Sequence, residues 1–260
     1  MENNNILLTD KRVSAILLFS LFIIVAVILF VDRVPQDSNY FQFADARNIF
    51  GVNNFLNVAS NAAFLLPGIA GLWFLRAPAT TGVLPGTRTM YVVLFSGVVL
   101  TAFGSSWFHL SPNNETLVWD RLPMTLVFMS LTATIVAEYV SLAVGRRFFL
   151  PLLAVGASSV AYWAWTEANG AGDLRAYGLV QFLPMIIVPV IALSFQSRFD
   201  KRGFLLRIFI LYAIAKIAEL YDRQIFAVGE YVSGHTLKHL IAALALLALL
   251  RGVKSRRVRA

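Results

Sequence analysis

Eight apolar runs set what this chain can fold into. They lie near residues 13–31, 55–75, 90–110, 117–143, 147–165, 177–196, 204–225 and 235–251. Each approaches the roughly twenty residues that carry a helix across the hydrocarbon of a bilayer. In that medium a helix satisfies its backbone hydrogen bonds within one segment, which a lone strand cannot do. The expected fold class is therefore an all-α membrane protein. Composition agrees: 58% of residues are hydrophobic and 14% charged, where soluble domains carry roughly 25% charged residues. The first run, VSAILLFSLFIIVAVILFV, follows Lys11 and Arg12 as a signal peptide would. It is too long for a signal h-region and ends in DRVP without a small-residue cleavage site, so it reads as a retained helix.

Charge orients the runs. With the N-terminus inside, the cytoplasmic segments hold Lys11, Arg12, Arg76, Arg88, Arg146, Arg147, Arg198, Lys201 and Arg202, and the tail adds Arg251, Lys254, Arg256, Arg257 and Arg259. The opposite face has only Arg33, Arg47, Arg121, Arg175 and Arg223. Lys and Arg accumulate in cytoplasmic loops, so both termini are expected in the cytoplasm. The net charge of +8 is thus an orientation signal. No interleaved basic and aromatic surface supports nucleic-acid binding. The absence of cysteine removes disulfides, thiolate metal sites and cysteine nucleophiles together; with the compact loops it leans toward a bacterial inner membrane.

The three histidines of the chain, His109, His235 and His239, fall at one membrane level in this topology. His109 closes the third run at its outer end, and the other two open the eighth from that side. In SGHTLKHL the pair is spaced i, i+4, which puts both imidazoles on one helix face about 6 Å apart along the axis. Helical zinc sites use this spacing, and a third histidine from a facing helix completes a three-histidine set with one position open for water. All-imidazole ligation without thiolate or a carboxylate cage favours zinc; bis-histidine haem leaves one histidine unexplained. Ser105 lies one turn before His109, and Asp120 begins the next run at the same depth. A carboxylate there can take a proton from a metal-bound water, and a hydroxyl can position that water or steady an oxyanion.

These residues resemble the alkaline ceramidases, members of the wider CREST superfamily of membrane hydrolases that also includes the progestin and adipoQ receptors. The likeness rests on Ser105-x-x-x-His109, on the aspartate of WDRLPM, on the C-terminal H-x-x-x-H, and on NFLNVASNAAFLLPG from Asn54 to Gly68, which is similar to an N-x-x-S-N motif opening the ceramidase core. It spans roughly residues 37 to 250. It implies a seven-transmembrane-helix core (36–252) with a basic cytoplasmic tail (253–260), and makes the first helix (1–35) an addition. It further implies zinc held by His109, His235 and His239, Ser105 and Asp120 flanking the metal-bound water, and hydrolysis of the amide of ceramide or a related N-acyl lipid. An adipoQ-type receptor on the same scaffold is the alternative, although no loop is long enough for a protein ligand. A transporter using Lys216 and Glu219 leaves the histidines without a task.

The chain departs from the family pattern in three places. Arg121 stands where ceramidases have an acidic residue, and Lys238 where they have an aromatic one; both suit an anionic headgroup better than neutral ceramide. The family's calcium-binding segment corresponds to DSNYFQFADARN, where Asp37, Asn39 and Asp45 offer oxygens, but Asn54 replaces the family glutamate. That loop reads rather as a solvated connection or an amphipathic cap. Glu219 is expected to pair with Lys216, or with Lys238 at the cavity wall. Asn57, Ser60 and Asn61 share a helix face suited to interhelical hydrogen bonds, and Trp107, Trp119, Trp163 and Trp165 read as an aromatic belt.

Overall fold

The computed structural model describes residues 11–77 and 82–259; the first ten residues of the N-terminal unit and Ala260 of the tail lie outside the described residues. The elements are α1 Lys11–Phe30, α2 Phe55–Phe74 with a tightened turn at Asn61–Phe64, and α3 Arg88–Leu110. Next come α4 Asn114–Ile135, extended by a wider turn over Val136–Val140, α5 Leu142–Ala168 and α6 Arg175–Ser194. The last are α7 Phe204–Leu220, the short α8 Asp222–Phe226 and α9 Gly234–Ser255. Among the described residues seven helices are long and apolar enough to cross a membrane, and the protein is an all-α membrane protein. The run expected over 204–225 is the exception. Its helix ends at Leu220 after 17 residues, the lower limit of a span. The chain breaks there so that Asp222 can turn to α9, where its carboxylate accepts the His235 N–H at 2.6 Å and the Ala44 N–H at 3.0 Å.

Local chemistry starts the helices that carry Asp120 and the His235–His239 pair. Before α4, Asn113 accepts the Thr116 N–H at 3.0 Å while the Thr116 hydroxyl accepts the Asn113 N–H at 3.3 Å, a reciprocal cap for otherwise orphaned donors. Before α9, the Ser233 hydroxyl accepts the Thr236 N–H at 3.1 Å. Two glycines set how closely the helices meet. A Cβ on Gly104 would lie 1.9 Å from the Trp119 carbonyl oxygen, and one on Gly234 would lie 2.0 Å from that of Ala218. Only glycine permits backbones to approach so closely, and each glycine directly precedes a residue of interest, Ser105 or His235.

The centre of the bundle is apolar, built around Leu94, Phe95 and Val98 of α3. At one end it closes on a buried ion pair. Arg256 and Glu138, 1% and 0% exposed, join through two hydrogen bonds of 2.6 and 2.7 Å. Arg256 also donates to the Tyr91 hydroxyl at 2.7 Å and to the Gly82 carbonyl at 2.9 Å, and it lies 3.7 Å over the Phe199 ring. Part of the basic tail expected over 253–260 packs against the bundle. The helix runs on to Ser255, Arg256 is buried, and the Arg259 and Asp200 N–H groups bond the Arg198 and Arg257 carbonyls. A buried acid drew the arginine inward.

Helix α1 lies outside this core. None of its residues is buried; Arg12 donates to the Ser194 carbonyl at 2.8 Å, and Arg175 donates to the carbonyls of Ile28 and Val31 at 2.9 and 2.8 Å. Asp173, in the loop before α6, holds Arg175 in place with a 2.7 Å ion pair. Hydrogen bonds from Arg175 lower its carboxyl to about 2. A carboxyl depressed on folding adds stability that is complete above its ordinary pKa near 4 and is lost as pH falls through about 2. Cleavage by an acid-active protease near residues 31–34 is therefore expected to rise between pH 4 and 2. An Asp173→Asn variant should be cleaved more readily than wild type at pH 5, with less added by acid; equal cleavage of the two at pH 5 would contradict the assignment.

Candidate metal centre

The last turn of α3 and the first two of α9 bring the three histidines together. His109, His235 and His239 are 1%, 4% and 3% exposed, with ring centroids 4.8 to 5.0 Å apart in all three pairs. One ring nitrogen from each lies within 4.8 Å of the others, the one group of metal-capable side chains found among the described residues. Two buried nitrogens, His109 Nδ1 and His239 Nε2, have no hydrogen-bond partner. Unpaired buried polar atoms are costly, and a cation held among the three rings would satisfy them.

The surroundings select the ligand atom of His239. Its Nδ1 lies 2.8 Å from the Ser60 hydroxyl. With the Ser60 hydrogen on the Asn57 carbonyl, 3.2 Å away, the hydroxyl oxygen accepts from Nδ1–H and leaves the lone pair on Nε2. Outer partners of this kind orient ligating histidines. Asn57 extends the support by accepting from the Thr236 and Ser233 hydroxyls at 2.9 and 3.3 Å, and Asn54 donates to the His109 carbonyl at 2.9 Å. The N-x-x-S-N segment thus braces both ligand-bearing helices.

Ser105 and Asp120 are 3% and 7% exposed, and the Ser105 hydroxyl lies beside the Asp120 carboxyl. The contact joins α3 and α4 one turn below His109. The Lys238 ammonium lies 3.0 Å from His235 Nε2 and donates to Glu219 at 2.8 Å, and Glu219 also pairs with Lys216. Arg121 turns instead toward α5 and α6. Its guanidinium lies 4.2 Å over Trp163 and 4.8 Å over Tyr177 and donates to Gln36 at 2.6 Å, while Nη1 has no partner. Trp163, expected in the aromatic belt, is fully buried in this box because its ring carries the arginine. Trp107, Trp119 and Trp165 remain about half exposed or more.

Sequence alone allows the loop before α2 to be a solvated connection or a cap. It covers the centre. The Phe43 ring lies 4.6 Å from His109 and 5.0 Å from His235, and Tyr40 stacks on Phe108 at 6.1 Å. Asp37, Asn39 and Asp45 serve that loop locally. Asp37 accepts the Asn39 N–H at 2.9 Å, and both Asp45 oxygens are taken by Arg47 at 2.8 and 2.7 Å. Burial raises the Asp45 carboxyl, but the Arg47 hydrogen bonds and charge outweigh it and hold the group below its ordinary range. No family model, no curated protein and no solved structure matches this chain. The fold and site define a multi-pass helical membrane protein with a buried three-histidine cluster able to hold a metal ion.

Proposed function

We propose that the protein is a zinc-dependent membrane hydrolase that cleaves the amide bond of ceramide or a related N-acyl lipid. The observation that carries this reading is the pairing, at one end of the bundle, of a three-histidine cluster with a buried hydroxyl–carboxylate couple, Ser105 and Asp120. Bound in such a site, zinc supplies a Lewis acid and a water acidic enough to ionise near neutral pH. The protein's own groups do the rest. Asp120 takes a proton from the attacking water and returns it to the leaving nitrogen, while Ser105 holds the carboxylate in place. Phe43 and Tyr40 keep bulk water from the amide, and Lys238, neutralised by Glu219, faces the substrate from α9. The topology consistent with the charge pattern puts both termini in the cytoplasm and the site toward the outer leaflet of a bacterial inner membrane.

The test is release of fatty acid by purified protein in mixed micelles, assayed on ceramide and on an N-acyl amino acid, with and without a zinc chelator. Chelator-sensitive release from either substrate is expected. Metal-loaded protein that releases no fatty acid from any N-acyl lipid would overturn the hydrolase reading in favour of a receptor on the same scaffold.

A further inference from the structure

At the end of the bundle far from the histidines, the groove between the start of α7 and the end of α9 is both concave and divided by polarity. It consists of two adjoining recesses of about 410 Å³ each, which share Arg207, Gly252 and Ser255. The polar recess adds Lys201 and Arg202, with Asp200 as its acidic member. The other adds Arg251 and an apolar floor of Leu211, Leu244 and Leu247. We propose that this groove binds an anionic phospholipid, with the phosphate between Arg207 and Arg251 and an acyl chain along the leucines.

Charge supports this occupant. Four cations line the groove against one carboxylate, and Asp200 is already engaged by the Arg257 N–H at 2.8 Å. Arg207 and Arg251 are exposed and have no hydrogen bond or ion pair among the described residues, whereas Arg256 nearby is fully paired. Depth supports it too. The helices run antiparallel, so Leu211 lies four residues beyond Arg207 and Leu244 seven residues before Arg251. At about 1.5 Å per residue the lining passes from cationic to apolar within roughly 10 Å, the length over which a phospholipid changes from headgroup to hydrocarbon. A free phosphate would use only the upper half, leaving the 52% exposed Leu244 without a role. Basic pockets between transmembrane helices recognise acidic headgroups in this way.

The experiment uses the full chain, delipidated in a neutral detergent, with bound lipid counted by native mass spectrometry and the unfolding midpoint followed by fluorescence. Phosphatidylglycerol is expected to bind and raise the midpoint, while phosphatidylcholine and inorganic phosphate do neither. Both arginines are exposed, so Arg207→Gln/Arg251→Gln should unfold like wild type without lipid yet bind phosphatidylglycerol about thirtyfold more weakly. Leu244→Ala/Leu247→Ala, which keeps every charge, should weaken it as well. Equal binding of phosphatidylcholine, an equal shift with phosphate alone, or undiminished binding by the arginine variant would each overturn the proposal. The wild-type comparison of the two lipids decides the matter even if a variant does not fold.

Discussion

Asp120→Asn is expected to keep the metal and lose the chemistry. The side chain is almost the same size, and its neighbour Ser105 is a hydroxyl that can donate to an amide oxygen as readily as to a carboxylate, so α3 and α4 should stay in register. The amide cannot accept a proton at working pH. General acid–base catalysis contributes about 10²- to 10⁴-fold, and turnover should fall by that factor while metal content stays at the wild-type level. A Ser105→Ala variant should lose less, because it removes an orienting donor and leaves the base. The outcome that would count against the assignment is Asp120→Asn protein with wild-type turnover. Loss of metal together with activity would instead make Asp120 part of the metal's support.

Glu138→Ala is expected to be the most damaging single change to stability. It would leave the Arg256 guanidinium buried without its carboxylate, and breaking a buried pair from one side costs about 3–5 kcal/mol. For a chain of this size the unfolding midpoint should fall by roughly 6–20 °C. Removing both charges with apolar residues of similar volume, as in Glu138→Leu/Arg256→Met, should recover much of the loss, since buried pairs often exchange for packed hydrophobes at little cost. Detergent unfolding curves of the single and double variants decide it. A single variant as stable as wild type would show that water satisfies the Arg256 guanidinium without Glu138. The effect should be separable from the metal, because this clasp and the histidines lie at opposite ends of α3, α4 and α9.

The histidine cluster was legible in the sequence because depth could be counted. With three histidines in all, i, i+4 spacing for two of them, and an even number of crossings between His109 and His235, one membrane level followed from the hydrophobic runs alone. Ser105 and Asp120 followed from the same arithmetic. Arg121 was legible in principle and misplaced: adjacent helical residues point about 100° apart, so Asp120 and Arg121 do not share a wall. Phe43, Tyr40 and the Ser60 contact to His239 had no such signal. A loop aromatic carries no periodicity, and which serine meets which histidine depends on how α2 and α9 pack. The Glu138–Arg256 pair, 118 residues apart, gave no spacing to read, and Arg256 looked like one more charge in a basic tail. Periodic order reads out of a sequence; contacts made by single side chains across long separations do not.

The central claim is that His109, His235 and His239 hold a metal ion, and metal content of the detergent-purified protein tests it most directly. Elemental analysis of wild type prepared without chelators should give about one zinc per chain. His235→Ala and His239→Ala should each fall to background while remaining folded and monodisperse. Wild-type protein that carries no transition metal, and takes up none when zinc is supplied, would contradict the claim.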